Sequence, residues 1–150
     1  MDVSALLQEQ SIIIPMDASD KAACMRALVD QLDAGGVLSD KAAYLEAVMK
    51  REETGSTGIG FGVAIPHGKS SGVKKPSLAF AKLSKPLDWE SLDGAPVSAV
   101  FMIAVPEEAA ANEHLKILIG ISRKLIDEDF RNQLLAVEEP KQLISLLQTI

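Results

Sequence analysis

The sequence predicts an α/β fold in which a single mixed β-sheet is flanked by helices on both faces, a three-layer sandwich. Three observations lead there. Segments with apolar residues at helical spacing are interleaved with short apolar or β-branched runs, and helical segments stand at both ends. The run Val97 to Val105 is nearly all apolar, broken only by Ser98. Its lack of alternation marks a central strand covered on both faces. The chain has 150 residues, about one domain's worth, so residues 1–150 read as one domain able to bury a core without cross-links.

The elements follow in order. Met1 to Gln10 reads as a short helix. Ile12-Ile13-Ile14 is β-branched and stops at Pro15, as a short strand does. Ser19 offers an N-cap, Met25, Leu28, Val29 and Leu32 follow at helical spacing, and Gly35-Gly36 ends that helix. Ser39 offers a second N-cap for a helix that carries Leu45, Val48 and Met49 and reaches about Glu53. Strands come next: Val63-Ala64-Ile65, then Ser77 to Leu83 between Pro76 and Pro86, then the apolar run. Asn112 is an N-cap candidate for a long buried helix marked by Leu115, Leu118, Ile119, Leu125 and Ile126. A further helix carries Phe130 to Val137. Pro140 suits a first helical position, with Leu143, Leu146, Leu147 and Ile150 as one face.

Composition excludes several function classes. With 47% hydrophobic and 24% charged residues the chain is a folded globule and not a disordered one. A net charge of −6 and a pI near 4.9 lack the basic footprint that nucleic acid requires. Cys24 is the single cysteine, so no internal disulfide forms, which fits a reducing compartment. The start MDVSALLQEQ has neither the basic beginning nor the apolar core of a signal peptide. Val97 to Val105 is too short to span a bilayer. The expectation is a soluble, cytoplasmic protein with no direct membrane insertion.

The chemistry concentrates in ETGSTGIGFGVAIPHGKSSG, Glu53 to Gly72, which holds six of the ten glycines and one of the two histidines. Gly68-Lys69-Ser70 looks like the end of a nucleotide-binding loop, but the first glycine of that pattern would have to be residue 63, which is Val63. The dinucleotide pattern fails too, because the third glycine falls on Val63 or Ile65. For a metal, His67, His114, Cys24 and carboxylates such as Glu107 and Glu113 have no specific ligand spacing. No nucleotide, metal or other cofactor is expected.

What remains is His67 itself. Neutral imidazole is a competent nucleophile and forms covalent intermediates. A phosphorylated histidine needs one ring nitrogen presented, the other held by an acceptor, and cationic or N–H donors for the phosphoryl oxygens. Pro66 stiffens the chain before the ring, and Gly62 and Gly68 remove side chains that would obstruct approach. Arg51, at the end of the preceding helix, is placed to meet phosphate bidentately. His114 falls near a helix N-terminus, where N–H groups and the dipole favour an anion. Lys69, Lys74 and Lys75 read as solvated surface. Ile59 and Phe61 are either a docking patch beside His67 or a buried anchor for the loop.

Arg51 to Lys69, RxxTGSTGIGxGxAIPHGK, resembles the type-2 enzyme IIA domains of the bacterial phosphoenolpyruvate-dependent sugar phosphotransferase system, the fructose, mannitol and nitrogen-related family. NEHLKILIGISRKL, Asn112 to Leu125, matches that family's second histidine segment. The resemblance covers essentially the whole chain. It implies a phosphotransferase component in which His67 is phosphorylated through Nε2, with Arg51 and His114 as the active-site arginine and second histidine. Thr57, Gly58 and Gly68 would line the phosphate pocket. The implied partners are the histidine-containing phosphocarrier protein as donor and an enzyme IIB domain as acceptor, on the same longer chain or a separate subunit, with association to a membrane permease. Val73 to Pro106 looks most like the fructose-type members. A nitrogen-related regulatory carrier, binding other proteins according to its phosphorylation state, is the alternative.

Overall fold

The computed structural model describes residues 3–108 and 113–150, without the side chains of Glu113 and His114. A 3-10 turn, Val3–Leu6, leads into β1 (Leu7–Met16). Then come α1 (Lys21–Ala34), α2 (Lys41–Thr54), β2 (Gly58–Gly60), β3 (Val63–Ala64), β4 (His67–Ser70), β5 (Ser77–Leu87) and β6 (Val97–Pro106). Three helices close the chain: α3 (Glu113–Lys124), α4 (Glu128–Leu135) and α5 (Pro140–Leu147).

The six strands form one mixed sheet in the order β1-β5-β6-β3-β2, with β4 also on β6. The β1–β5, β3–β6 and β4–β6 pairings are parallel, and β5–β6 and β2–β3 are antiparallel. Strand alternation sorts the core into two layers. Ala79, Ala81, Val100, Met102 and Ala104 face α1 and α2, packing with Leu28, Leu32, Tyr44 and Val48. Leu78, Phe80, Phe101, Ile103 and Val105 face the other way, against Ile117, Ile121, Leu134, Leu143 and Leu147 from α3, α4 and α5. The predicted three-layer arrangement is what forms, and β6 is its buried central strand.

Several boundaries differ from expectation. The predicted N-terminal helix is a single 3-10 turn, and Leu7 already pairs with Leu78 on β5. Here tertiary pairing overrides helix propensity. The caps of α1 and α2 sit one residue later than Ser19 and Ser39. Asp20 Oδ1 accepts from the Ala23 N–H at 2.8 Å and Asp40 Oδ1 from the Ala43 N–H at 3.1 Å, and a carboxylate also suits the helix dipole. β5 continues through Pro86 because the β5–β6 register breaks between Lys82 and Leu87, so the missing N–H costs no ladder bond there. In α3 the buried face is Ile117 and Ile121, continued by Leu125 just past its end, while Leu115 and Ile119, and Ile126 beyond the helix, are exposed. Apolar residues occur on both sides of that helix, so spacing alone selects no face. The candidate cap Asn112 lies outside the described residues.

β3 and β4 are one strand with a break. Val63 pairs with Ala99 and His67 with Ile103, the same offset along β6. The break falls at Ile65-Pro66, where proline has no N–H to donate. The Pro66 carbonyl still accepts from the Ile103 N–H at 3.0 Å.

Candidate active site

His67 opens β4 and is half-buried. Its Nδ1 lies 2.9 Å from the Ile65 carbonyl oxygen. A carbonyl can only accept, so Nδ1 carries the proton and the ring's lone pair sits on Nε2. The break before β4 thus sets the tautomer: the carbonyl one residue ahead of Pro66 turns to the imidazole.

α2 brings the second group. It packs against β4 where Gly68 leaves room. A Cβ on Gly68 would stand 3.1 Å from the Val48 backbone nitrogen and 3.2 Å from Tyr44 Cε1. Tyr44 pins the helix there, its hydroxyl donating to the Ile103 carbonyl at 2.8 Å inside the core. Burial without a charged partner pushes the Tyr44 phenol far above its ordinary pKa, so it stays neutral. One turn beyond Val48, Arg51 is carried to the cleft. Its Nη1 donates to the Gly55 carbonyl at 2.8 Å and lies 3.4 Å from Thr54 Oγ1, which orients the guanidinium at the helix end. Those bonds engage one nitrogen of a five-donor group.

Ala47, Arg51, His67, Gly68 and Lys69 line one cleft of about 270 Å³. The structure therefore brings Arg51, His67 and Gly68 together. Lys69 lines the cleft too: it is exposed, as expected from the sequence, and stands beside His67. The available signal was strand parity: residues 67 and 69 of an extended segment share a face. Without β4 in the prediction, that parity had no strand to act on.

Thr57 and Gly58 do not line this cleft. Thr57 is buried, its hydroxyl donating to Glu52 Oε1 at 2.5 Å and accepting from Trp89 Nε1 at 3.2 Å. Gly58 is required by packing, since a Cβ there would meet Ser91 Oγ at 2.4 Å. Gly68 likewise serves the approach of α2 more than access to the ring. The His114 backbone belongs to α3 and its side chain lies outside the described residues.

Phe61 is half exposed at the β2–β3 tip, with positive φ, and the Arg131 guanidinium lies 4.6 Å from its ring centre. The tip is held by Gly62, whose carbonyl accepts from the Ser98 N–H at 2.8 Å, five residues before Ile103 on β6. At the rise of a strand that is about 16 Å from the register of His67. Ile59 packs on the core layer of α3, α4 and α5. So Ile59 is an anchor, and Phe61 is exposed at a distance from the histidine.

The family model described as "Phosphoenolpyruvate-dependent sugar phosphotransferase system, EIIA 2" matches residues 5–150, and the chain belongs to that family of phosphoryl carriers. It is 40% identical over 147 residues to the "PTS system fructose-specific EIIABC component" of Bacillus subtilis (strain 168). That match covers 98% of this chain and 23% of the relative, so the chain spans about a quarter of that protein. It is 34% identical to the "PTS system fructose-specific EIIA component" of Haloferax volcanii, covering 99% of this chain and 96% of that one. Among solved structures, the "Nitrogen Regulatory Protein IIA-Ntr from Neisseria meningitidis" superposes with a TM-score of 0.88 at 32% identity, over 97% of this chain and 98% of that one. Members of the family are phosphotransferase components of the phosphotransfer cascade. Among the described residues no helix is long and apolar enough to cross a membrane.

Proposed function

We propose that this chain carries a phosphoryl group on His67 Nε2, taking it from the histidine-containing phosphocarrier protein and giving it to an enzyme IIB domain. The observation that carries the reading is the Nδ1–Ile65 hydrogen bond, because it puts the ring's nucleophilic lone pair on Nε2. The Nε2 lone pair attacks the phosphorus of the donor's phosphohistidine. The donor's N–P bond breaks, its electron pair returns to the donor imidazole, and a new N–P bond forms on His67. Arg51 and Lys69, lining the same cleft, offset the charge spread over the phosphoryl oxygens. His114, whose segment matches the family's second histidine motif, acts with His67 as orienter or donor to the phosphate. The second transfer reverses the first, with the IIB nucleophile attacking phosphorus. No cofactor takes part.

The acceptor system is proposed to be of the fructose type, supported by the 40% identity to a fructose-specific relative whose name joins A, B and C components. The likeness to a nitrogen regulatory protein supports the regulatory alternative. Sugar phosphorylation with fructose-type IIB and IIC components separates the two. The test of the carrier reading is incubation with phosphoenolpyruvate, enzyme I and the phosphocarrier. Wild type gains one acid-labile phosphate and His67→Ala gains none. Full labelling of His67→Ala refutes the reading.

A further inference from the structure

Glu52 is a carboxylate buried to 8% exposure in the last turn of α2, next to Arg51. A buried polar group needs hydrogen-bond partners, and Glu52 has a closed set of donors. Oε2 accepts from the Thr57 N–H at 2.9 Å and lies 3.4 Å from Lys21 Nζ, and Oε1 accepts from the Thr57 hydroxyl at 2.5 Å. The Trp89 indole N–H donates to that hydroxyl at 3.2 Å, completing it.

The contacts do not stop there. The Thr57 carbonyl accepts from the Ile65 N–H at 2.9 Å, and the Ile65 carbonyl accepts from His67 Nδ1 at 2.9 Å. Three hydrogen bonds, joined through the backbones of Thr57 and Ile65, link the buried carboxylate to the imidazole.

We infer that Glu52, acting through Thr57, is a positioning residue: it fixes the Thr57–Ile65 backbone that holds the His67 tautomer. The inference rests on the carrier reading of His67. An apolar pair of similar volume would anchor the loop as well as a buried carboxylate does, and often better. An apolar pair supplies no direction, whereas the carboxylate takes both donors of Thr57 and so sets the tilt of its peptide.

The test uses Glu52→Gln, Thr57→Val and Thr57→Ser in the full chain. The first readout needs no phosphorylation: ¹⁵N chemical shifts of the His67 ring, which report the tautomer. The second is labelling by the phosphocarrier, split into the saturating rate and the half-saturating concentration. Misplacing a reacting group by about an ångström costs up to a hundredfold. We expect Glu52→Gln and Thr57→Val to mix the tautomers and to lower the saturating rate about ten- to a hundredfold, with half-saturation nearly unchanged. Thr57→Ser, which keeps the hydroxyl, restores both. Retention of the buried Trp89 emission confirms folding, and if Thr57→Val does not fold, the isosteric Glu52→Gln carries the test. A wild-type tautomer and rate in Glu52→Gln overturns the inference. If wild type is not labelled on His67, the carrier reading fails, and the tautomer readout still decides whether Glu52 positions the ring.

Discussion

Gly68→Ala tests the contact that assembles the cleft. The added Cβ would lie 3.1 Å from the Val48 nitrogen and 3.2 Å from Tyr44 Cε1. The first neighbour is helix backbone and the second a ring fixed by its hydrogen bond to Ile103, so neither yields by a simple rotamer change. β4 is held in register on β6, with Gly68 opposite Ala104. The displacement of a few tenths of an ångström therefore falls on α2. Overpacking of this kind costs about 1–3 kcal/mol. Replacing glycine in an extended segment returns about 0.4–1 kcal/mol through the unfolded chain. The net is a loss of about 1–2 kcal/mol, or roughly 2–8 °C in Tm for a chain of this size. Because α2 carries Arg51, the rate of phosphoryl transfer to His67 should fall as well. Urea unfolding read by Trp89 fluorescence, with an unchanged m value, gives the first quantity, and phosphocarrier labelling gives the second. A midpoint equal to or above wild type, with normal labelling, would show slack between α2 and β4 and refute the packing argument.

Three further outcomes follow from the same geometry. Lys69→Ala should slow labelling about three- to tenfold, the scale of one solvent-exposed charge on a phosphoryl group, without altering the urea midpoint; a normal rate would leave Lys69 with no part in the transfer. Phe61→Ala should leave labelling by the phosphocarrier unchanged, since the β2–β3 tip packs about 16 Å from the register of His67, and a large rate loss would place the docking surface there after all. Burial pushes the Cys24 thiol up to about 12, so the fold holds it neutral. Its contribution is fully present below the unfolded thiol pKa and is lost as pH rises from there towards about 12. Tyr44 acts in the same direction. Cys24→Ala should therefore flatten the alkaline loss of stability, and identical slopes for the two proteins would contradict it.

The architecture was legible because its signals are local and redundant. Val97 to Val105 reads as a central strand from its composition alone, and Pro140 marks the start of α5. The elements that were not legible are those decided by distant partners. Leu7 to Gln10 becomes a strand only because β5 lies beside it, and α3 turns Ile117 and Ile121 inward only because the sheet is on that side. At the site, the family motif singles out Arg51 and His67, which share a cleft. It also points at Thr57 and Gly58 without distinguishing residues that line the cleft from those that hold its frame. That difference is one of burial: the Thr57 hydroxyl is closed between Glu52 and Trp89, 32 residues away in sequence. Lys69 is exposed, as expected, but its place beside His67 was not legible, because it depends on a short strand that follows a proline and carries no strong β signal.

The central claim is that the backbone chooses which nitrogen of His67 takes the phosphate. ¹⁵N–¹H and ³¹P NMR of the phosphorylated protein, with ring nitrogens labelled, tests it most directly. Phosphorus should be bonded to Nε2 while Nδ1 keeps its proton and its bond to the Ile65 carbonyl. Phosphorus on Nδ1, or on any residue other than His67, would contradict it.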